Sequence, residues 1–158
     1  MCHQIRKIMS EKIKLTKEQV ELVEQYAVFM EQTNLQPAMA KILALLNVAD
    51  ETELSFNQIQ DTLGLSKSGT SQAISHLLAT NRMEYKTKLG DRKRYFYVPI
   101  HKWKDTASRH FDGLEKYRNL NHRILAQRSK KTKEFYEALK EMTEFLSALH
   151  KVYTEKIK

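Results

Sequence analysis

Residues 65–78 read "LSKSGTSQAISHLL". Ser66, Lys67, Ser68, Gly69, Thr70, Ser71, Gln72 and Ser75 crowd small hydroxyls, an amide and one cation into the opening turns of an apolar-spaced segment. That set lacks a nucleophile with a base beside it, but it suits the binding of a polyanion. Lys67 can neutralise a phosphate, and free N–H groups at a helix start can hold one. Gln72 has the two-pronged amide that reads an adenine edge. A second set follows at Lys86, Lys88, Arg92, Lys93 and Arg94, five cations around "LGDRKRYF". Such a cluster fits the phosphates of a duplex or its minor groove. Taken singly, each residue is as well explained by a helix cap, a solvated face or a charged strand edge. The ordered combination is what carries the expectation.

Other chemistries find no matching pattern. The six histidines show no ligand spacing with carboxylates, so no metal is expected. "GLSKSG" lacks the Walker spacing, and no Ser-His-Asp or Cys-His arrangement can be assigned. No enzyme activity and no cofactor are therefore expected. Cys2 is the only cysteine, which rules out an internal disulfide and fits a reducing cytoplasm. No apolar run approaches a membrane span, and "MCHQIRKIMSEKIK" has no secretory apolar core. A cytoplasmic protein without membrane attachment is the expectation. Residues 1–15 read as an N-terminal extension, with Met9 as an alternative start to Met1.

The chain has 158 residues and a net charge of +8. The net charge is 0 over residues 1–50, +2 over 51–100 and +6 over 101–158. In the middle block every basic residue falls at or after Lys67, where only Glu84 and Asp91 oppose them. A local cationic excess of this kind attracts nucleic acid.

The elements that must position these groups follow from periodicity. Only 4 Gly and 2 Pro favour long helices. Thr16 and Gln19 form a capping box, so a helix starts near Lys17, with Val20, Val23, Ala27 and Met30 on one face and Tyr26 and Phe29 beside it. "TNLQP" breaks it. Pro37 opens a second helix that is apolar round most of its surface, which predicts a central core helix. "NVADETEL" reads as a loop or short strand. Ser55 and Gln58 form a second capping box, and Gly64 suits the left-handed residue ending that short helix. Ser66 then caps the helix 66–80, with Ala73, Ile74, Leu77 and Leu78 as its buried stripe. "MEYKTKL", "GDRK" and "RYFYVPI" make a β-hairpin over 83–99. From His101 onward the pattern is helical again, broken near "QRSKKTK".

Two short helices joined by a tight turn and followed by a basic hairpin predict a winged helix-turn-helix at 16–100. The overall expectation is a mainly α chain with a small β wing and long C-terminal helices at 101–158. Helix 66–80 would enter the major groove by its N-terminus. "LGLSKSGTSQAISHL", "GDRKRYFYV" and "QPAMAKILALL" resemble the recognition helix, wing and core helix of the MarR-like regulators, particularly their GbsR-type branch. The resemblance spans roughly Leu22 to Ile100. It implies a dimeric, cytoplasmic transcription regulator that binds double-stranded DNA. The other reading of the same fold is a protein-interaction module that does not read DNA.

In the C-terminal region Phe135, Leu139, Met142, Leu146, Leu149 and Tyr153 form a four-three apolar repeat. This seam is expected to pair with a second copy, packing within one chain being the other reading. Trp103, Phe111, Tyr117 and Tyr26 could line a cavity for a small-molecule effector, whose identity the residues do not give. Aromatic side chains at helical spacing are more often core.

Overall fold

A computed structural model of the chain describes residues 11–157. The expectations placed on Met1, Cys2 and Met9 lie outside these residues. The chain divides into two compact units between Pro99 and Ile100.

The first unit is built around the helix whose sequence is apolar on all sides. In α2 (Pro37–Val48), Met39, Ala40, Ile42, Leu43, Ala44, Leu45 and Leu46 are all buried. Pro37 occupies the first turn, where its missing N–H costs no helical hydrogen bond. α1 (Lys17–Gln32) starts at Thr16, whose hydroxyl accepts from Gln19 N–H while the Gln19 side chain accepts from Thr16 N–H. It packs Val23 and Ala27 against α2. Val20 and Phe29, expected on or beside that face, are instead exposed.

β1 (Leu54–Ser55) leads directly into α3 (Phe56–Leu63), capped by Ser55 and Gln58 as the spacing predicted. Gly64 ends α3 at φ +63°, a backbone conformation that costs a side chain dearly. α4 (Lys67–Ala79) follows after the three residues Gly64, Leu65 and Ser66. Ala73, Ile74 and Leu77 face the core, with Leu78 half-buried. β2 (Glu84–Thr87) and β3 (Arg94–Tyr97) form the expected hairpin. The sheet has a third member: β1 pairs antiparallel with β3, so the order is β1-β3-β2. This element order and sheet define a winged helix-turn-helix.

Residues 11–15, expected as a mere extension, lie on the first unit. Ile13 is buried in its core, Glu11 N–H donates to Asp61 Oδ2 at 2.7 Å, and Ile13 N–H donates to Thr62 Oγ1 at 3.1 Å. Both acceptors belong to α3.

The second unit is a helical pair, α5 (Trp103–Gln127) and α6 (Lys133–Lys156), joined by the "RSKKT" connection and preceded by a 3₁₀ turn at Ile100–Lys102. Part of the apolar repeat expected between subunits is spent within this pair. Leu146 and Tyr153 are buried, and Leu139, Met142 and Leu149 are half-buried. Tyr153 stacks on Phe111 with ring centroids 4.2 Å apart and donates its hydroxyl to Ser108 at 2.7 Å. Phe135 alone of the six is exposed. An apolar seam has the same period whether it meets a helix of its own chain or of another, and here α5 supplies most of its cover.

Candidate nucleic-acid interface

α4 begins at Ser66, whose Oγ accepts from Gly69 N–H at 3.1 Å. The glycine has a local reason: a Cβ there would meet the Ser66 Oγ at 3.0 Å. It keeps room for the capping hydroxyl, so close approach to a ligand is not needed to explain it. Lys67, Ser68, Ser71, Gln72 and Ser75 are exposed. Thr70 does not join them. It is fully buried and its hydroxyl donates to Ser66 C=O at 2.9 Å, tying the first turn of the helix together.

The register of the hairpin sorts the wing cations by face. Glu84 pairs with Tyr97, Tyr85 with Phe96, Lys86 with Tyr95 and Thr87 with Arg94. Alternation therefore puts Arg94 on the side of the buried Phe96, and Lys86 on the other side with Tyr95 and Tyr97. Leu54 opposite Phe96 carries the preceding residue, Glu53, to that second side. There Glu53, only 16% exposed, pairs with Lys86 and, at 2.8 Å, with Lys88. Lys86 and then Lys88 hold the Glu53 carboxyl below its usual range, and Glu53 raises that of Lys88 in return. Lys88 also lies 4.0 Å from the Tyr95 ring centroid.

The other side of the wing opens on α4. Ser71, Ile74, Ser75 and Leu78 of α4 and Arg92, Lys93, Arg94 and Phe96 of the wing line a cleft of about 390 Å³, together with Ser55, Phe56 and Asn57. Ile74, Leu78, Phe56 and Phe96 supply apolar lining, and hydroxyls, cations and the Asn57 amide supply the rest. Arg94 stacks over Tyr85 at 4.8 Å. Arg92 is exposed and makes no ion pair among the described residues, and the same holds for Lys67. Lys93 is held by Glu11, 3.0 Å from each carboxylate oxygen. The wing turn is braced by Asp91, which accepts from Tyr95 Oη at 2.6 Å and from Lys93 N–H at 2.9 Å. Those two bonds, the tyrosine's first, hold the Asp91 carboxyl below its usual range.

Sequence reasoning thus finds the cationic wing but misses Glu53 and Glu11, which neutralise three of its five cations. The signal for Glu53 would have been the pairing of β1 with β3, and two residues carry too little pattern to announce it. Of the four aromatics considered for an effector cavity, Tyr26 lies in the first unit, stacked on Phe29, and Phe111 is engaged with Tyr153. Trp103 and Tyr117 are about half exposed, at 51% and 47%.

No protein-family model matches the chain, and no curated protein matches it. Solved structures do. A crystal structure described as a transcriptional regulator aligns at a TM-score of 0.59 and 21% identity, covering 89% of this chain and 95% of its own. The MepR–DNA complex of S. aureus aligns at 0.42 and 18% identity over 86% and 99%. The adhesin competence repressor AdcR of Streptococcus pyogenes aligns at 0.39 and 24% over 87% and 99%. The first of these likenesses establishes the fold: this chain is a winged helix-turn-helix protein of the architecture found in a transcriptional regulator.

Proposed function

We propose that the chain is a non-enzymatic, cytoplasmic transcription regulator that binds double-stranded DNA as a homodimer. The observation that carries this is the cleft: Ser71 and Ser75 of α4 and the Arg92–Arg94 wing tip line one concave surface, while Lys67, Ser68 and Gln72 are exposed outside it. A helix entering the major groove by its N-terminus presents Ser68, Ser71, Gln72 and Ser75 to base edges, while Lys67 meets phosphate. Arg92 and Arg94 supply backbone or minor-groove contacts. Lys86 and Lys88, turned to Glu53, contribute less. The solved structure of the same fold is described as a transcriptional regulator, and the MepR complex holds DNA. The motif "LGLSKSGTSQAISHL" and the wing "GDRKRYFYV" support placement in the GbsR-type branch of the MarR-like regulators.

The test is a titration of the Gln72→Ala and Lys67→Ala variants against a preferred duplex and its single-base variants. Gln72→Ala is expected to cost roughly 1–3 kcal/mol on the preferred site and to relax base preference at one position per half-site. Lys67→Ala is expected to weaken all duplexes alike. Binding that neither change alters, in folded protein, would favour an interaction module that does not read DNA.

A further inference from the structure

Three donor side chains converge on the Glu11 carboxylate. The carboxylate accepts from Lys93 Nζ at 3.0 Å on both oxygens, from Asn57 Nδ2 at 3.2 Å and from Ser55 Oγ at 3.4 Å. One ammonium, one amide and one hydroxyl converging on a tetrad of lone pairs is the donor set of an oxyanion site. The site is built rather than casual. Ser55 is 2% exposed and is fixed by its own capping bonds to Gln58, and Lys93 is fixed at its backbone by Asp91. The same three residues line the cleft between α4 and the wing, next to Arg92, Arg94, Ser71 and Ser75. An anion held by this cradle would therefore be continuous with whatever α4 and the wing grip.

Glu11 reaches the cradle because the segment behind it is strapped down. Its N–H is held by Asp61, and Ile13 is anchored in the core. With the backbone fixed there, rotation of the Glu11 side chain is enough to open the cradle. Its carboxylate is one-third exposed, so water can take it up.

We infer that the Ser55–Asn57–Lys93 cradle is a phosphate site for the backbone of bound duplex DNA, and that Glu11 occupies it as an internal competitor. The inference rests on the DNA-binding reading. It adds a backbone contact at the start of α3 and a built-in brake on affinity that the N-terminal segment controls. Release of Glu11 frees Lys93 and removes a negative charge from the DNA face in one step.

The test uses the full chain with Glu11→Gln, Asn57→Ala and the double variant, on duplex DNA across a salt series. Glu11→Gln is expected to tighten duplex binding by roughly threefold at low salt and to steepen the slope of log K against log salt by about 0.9, one more phosphate. Adding Asn57→Ala to Glu11→Gln is expected to abolish that gain. A gain that survives Asn57→Ala would reflect lost repulsion alone and would overturn the inference. A second arm titrates inorganic phosphate and follows the Asn57 side-chain amide by NMR. Saturable shifts in Glu11→Gln, weaker in the unsubstituted protein, are expected. Phosphate binding without any change in duplex affinity would make the cradle a free-anion site and sink the DNA assignment. Glu11→Gln binding duplex no better than the unsubstituted protein, with that protein binding normally, would overturn the inference and leave the DNA-binding reading standing. Failure of every form to bind duplex would end both.

Discussion

Arg92 and Lys88 lie four residues apart on one wing and face different partners. Arg92 opens on the cleft with no ion pair among the described residues, whereas Lys88 is tied to Glu53 and laid against Tyr95. A cation already paired gives up that pair when it binds phosphate, so its net contribution is small. Arg92→Ala is therefore expected to weaken all duplexes alike and to flatten the salt slope by about 0.9. Lys88→Ala should change the slope by much less, because Glu53 keeps Lys86. Salt-dependent binding of the two variants, run side by side, checks this, and equal losses would mean that the Glu53 face also meets DNA. The Glu53 pairing has a pH signature too. Its carboxyl is held below the usual range when folded, by Lys86 first and Lys88 second. A depressed native value contributes stability above the unfolded value and loses it as pH falls through the native one. Thermal melts of the unsubstituted protein and Glu53→Gln should thus differ by a constant amount above the ordinary carboxylate range and converge in stronger acid. A difference that persists unchanged into acid would mean that the charge contributes nothing.

The helices of the first unit were legible because their signals are local. Both capping boxes, the Pro37 start and the Gly64 stop lie within four residues of what they control, and each is made as the spacing predicts. What was not legible is set by long-range pairing. Lys93 meets Glu11 across 82 positions, and Glu53 reaches Lys86 only through the β1–β3 register. Thr70 stands among the residues expected to meet a polyanion, yet the turn of the helix carries it inward with Ala73, Ile74 and Leu77. Two substitutions separate these local terms. Gly64→Ala meets nothing within 4 Å, so its cost is that of a left-handed backbone alone, about 1–2 kcal/mol. Thr70→Val keeps the buried shape and removes one hydrogen bond, so about 1 kcal/mol is expected. Denaturant unfolding of the first-unit variants reads both. A neutral Gly64→Ala would mean that the α3–α4 turn relaxes to another conformation.

At the scale of the whole molecule, the second unit leaves more apolar surface open than a helical pair can cover by itself. Trp103, Tyr117 and Leu120 on α5, and Phe135, Phe145 and Val152 on α6, are each about half exposed or more. Leu146 and Tyr153 are spent between the two helices. Exposed apolar side chains on two neighbouring helices are the kind of surface that a partner covers, and under the proposed DNA-binding function a symmetric second copy would supply that cover. Of the seam expected from the four-three repeat, Leu146 and Tyr153 are buried in the pair and Phe135 alone stays exposed, and in the proposed dimer a partner would cover it together with Phe145 and Val152, which lie outside the repeat. Substitutions on the two sets should part company. Leu146→Ala opens a cavity within the pair and is expected to cost about 2–4 kcal/mol, read as a lower melting temperature. Phe145→Glu touches neither Leu146 nor Tyr153 burial, but puts a charge where a partner's apolar surface would close. It should leave helix content and melting of the monomer intact while sedimentation shifts from dimer to monomer. Affinity for a two-site duplex should then fall steeply, and affinity for a single half-site should barely move, because only the linkage between two readers is lost. Phe145→Glu and Leu120→Glu proteins that sediment as intact dimers would place the interface on another surface of the chain.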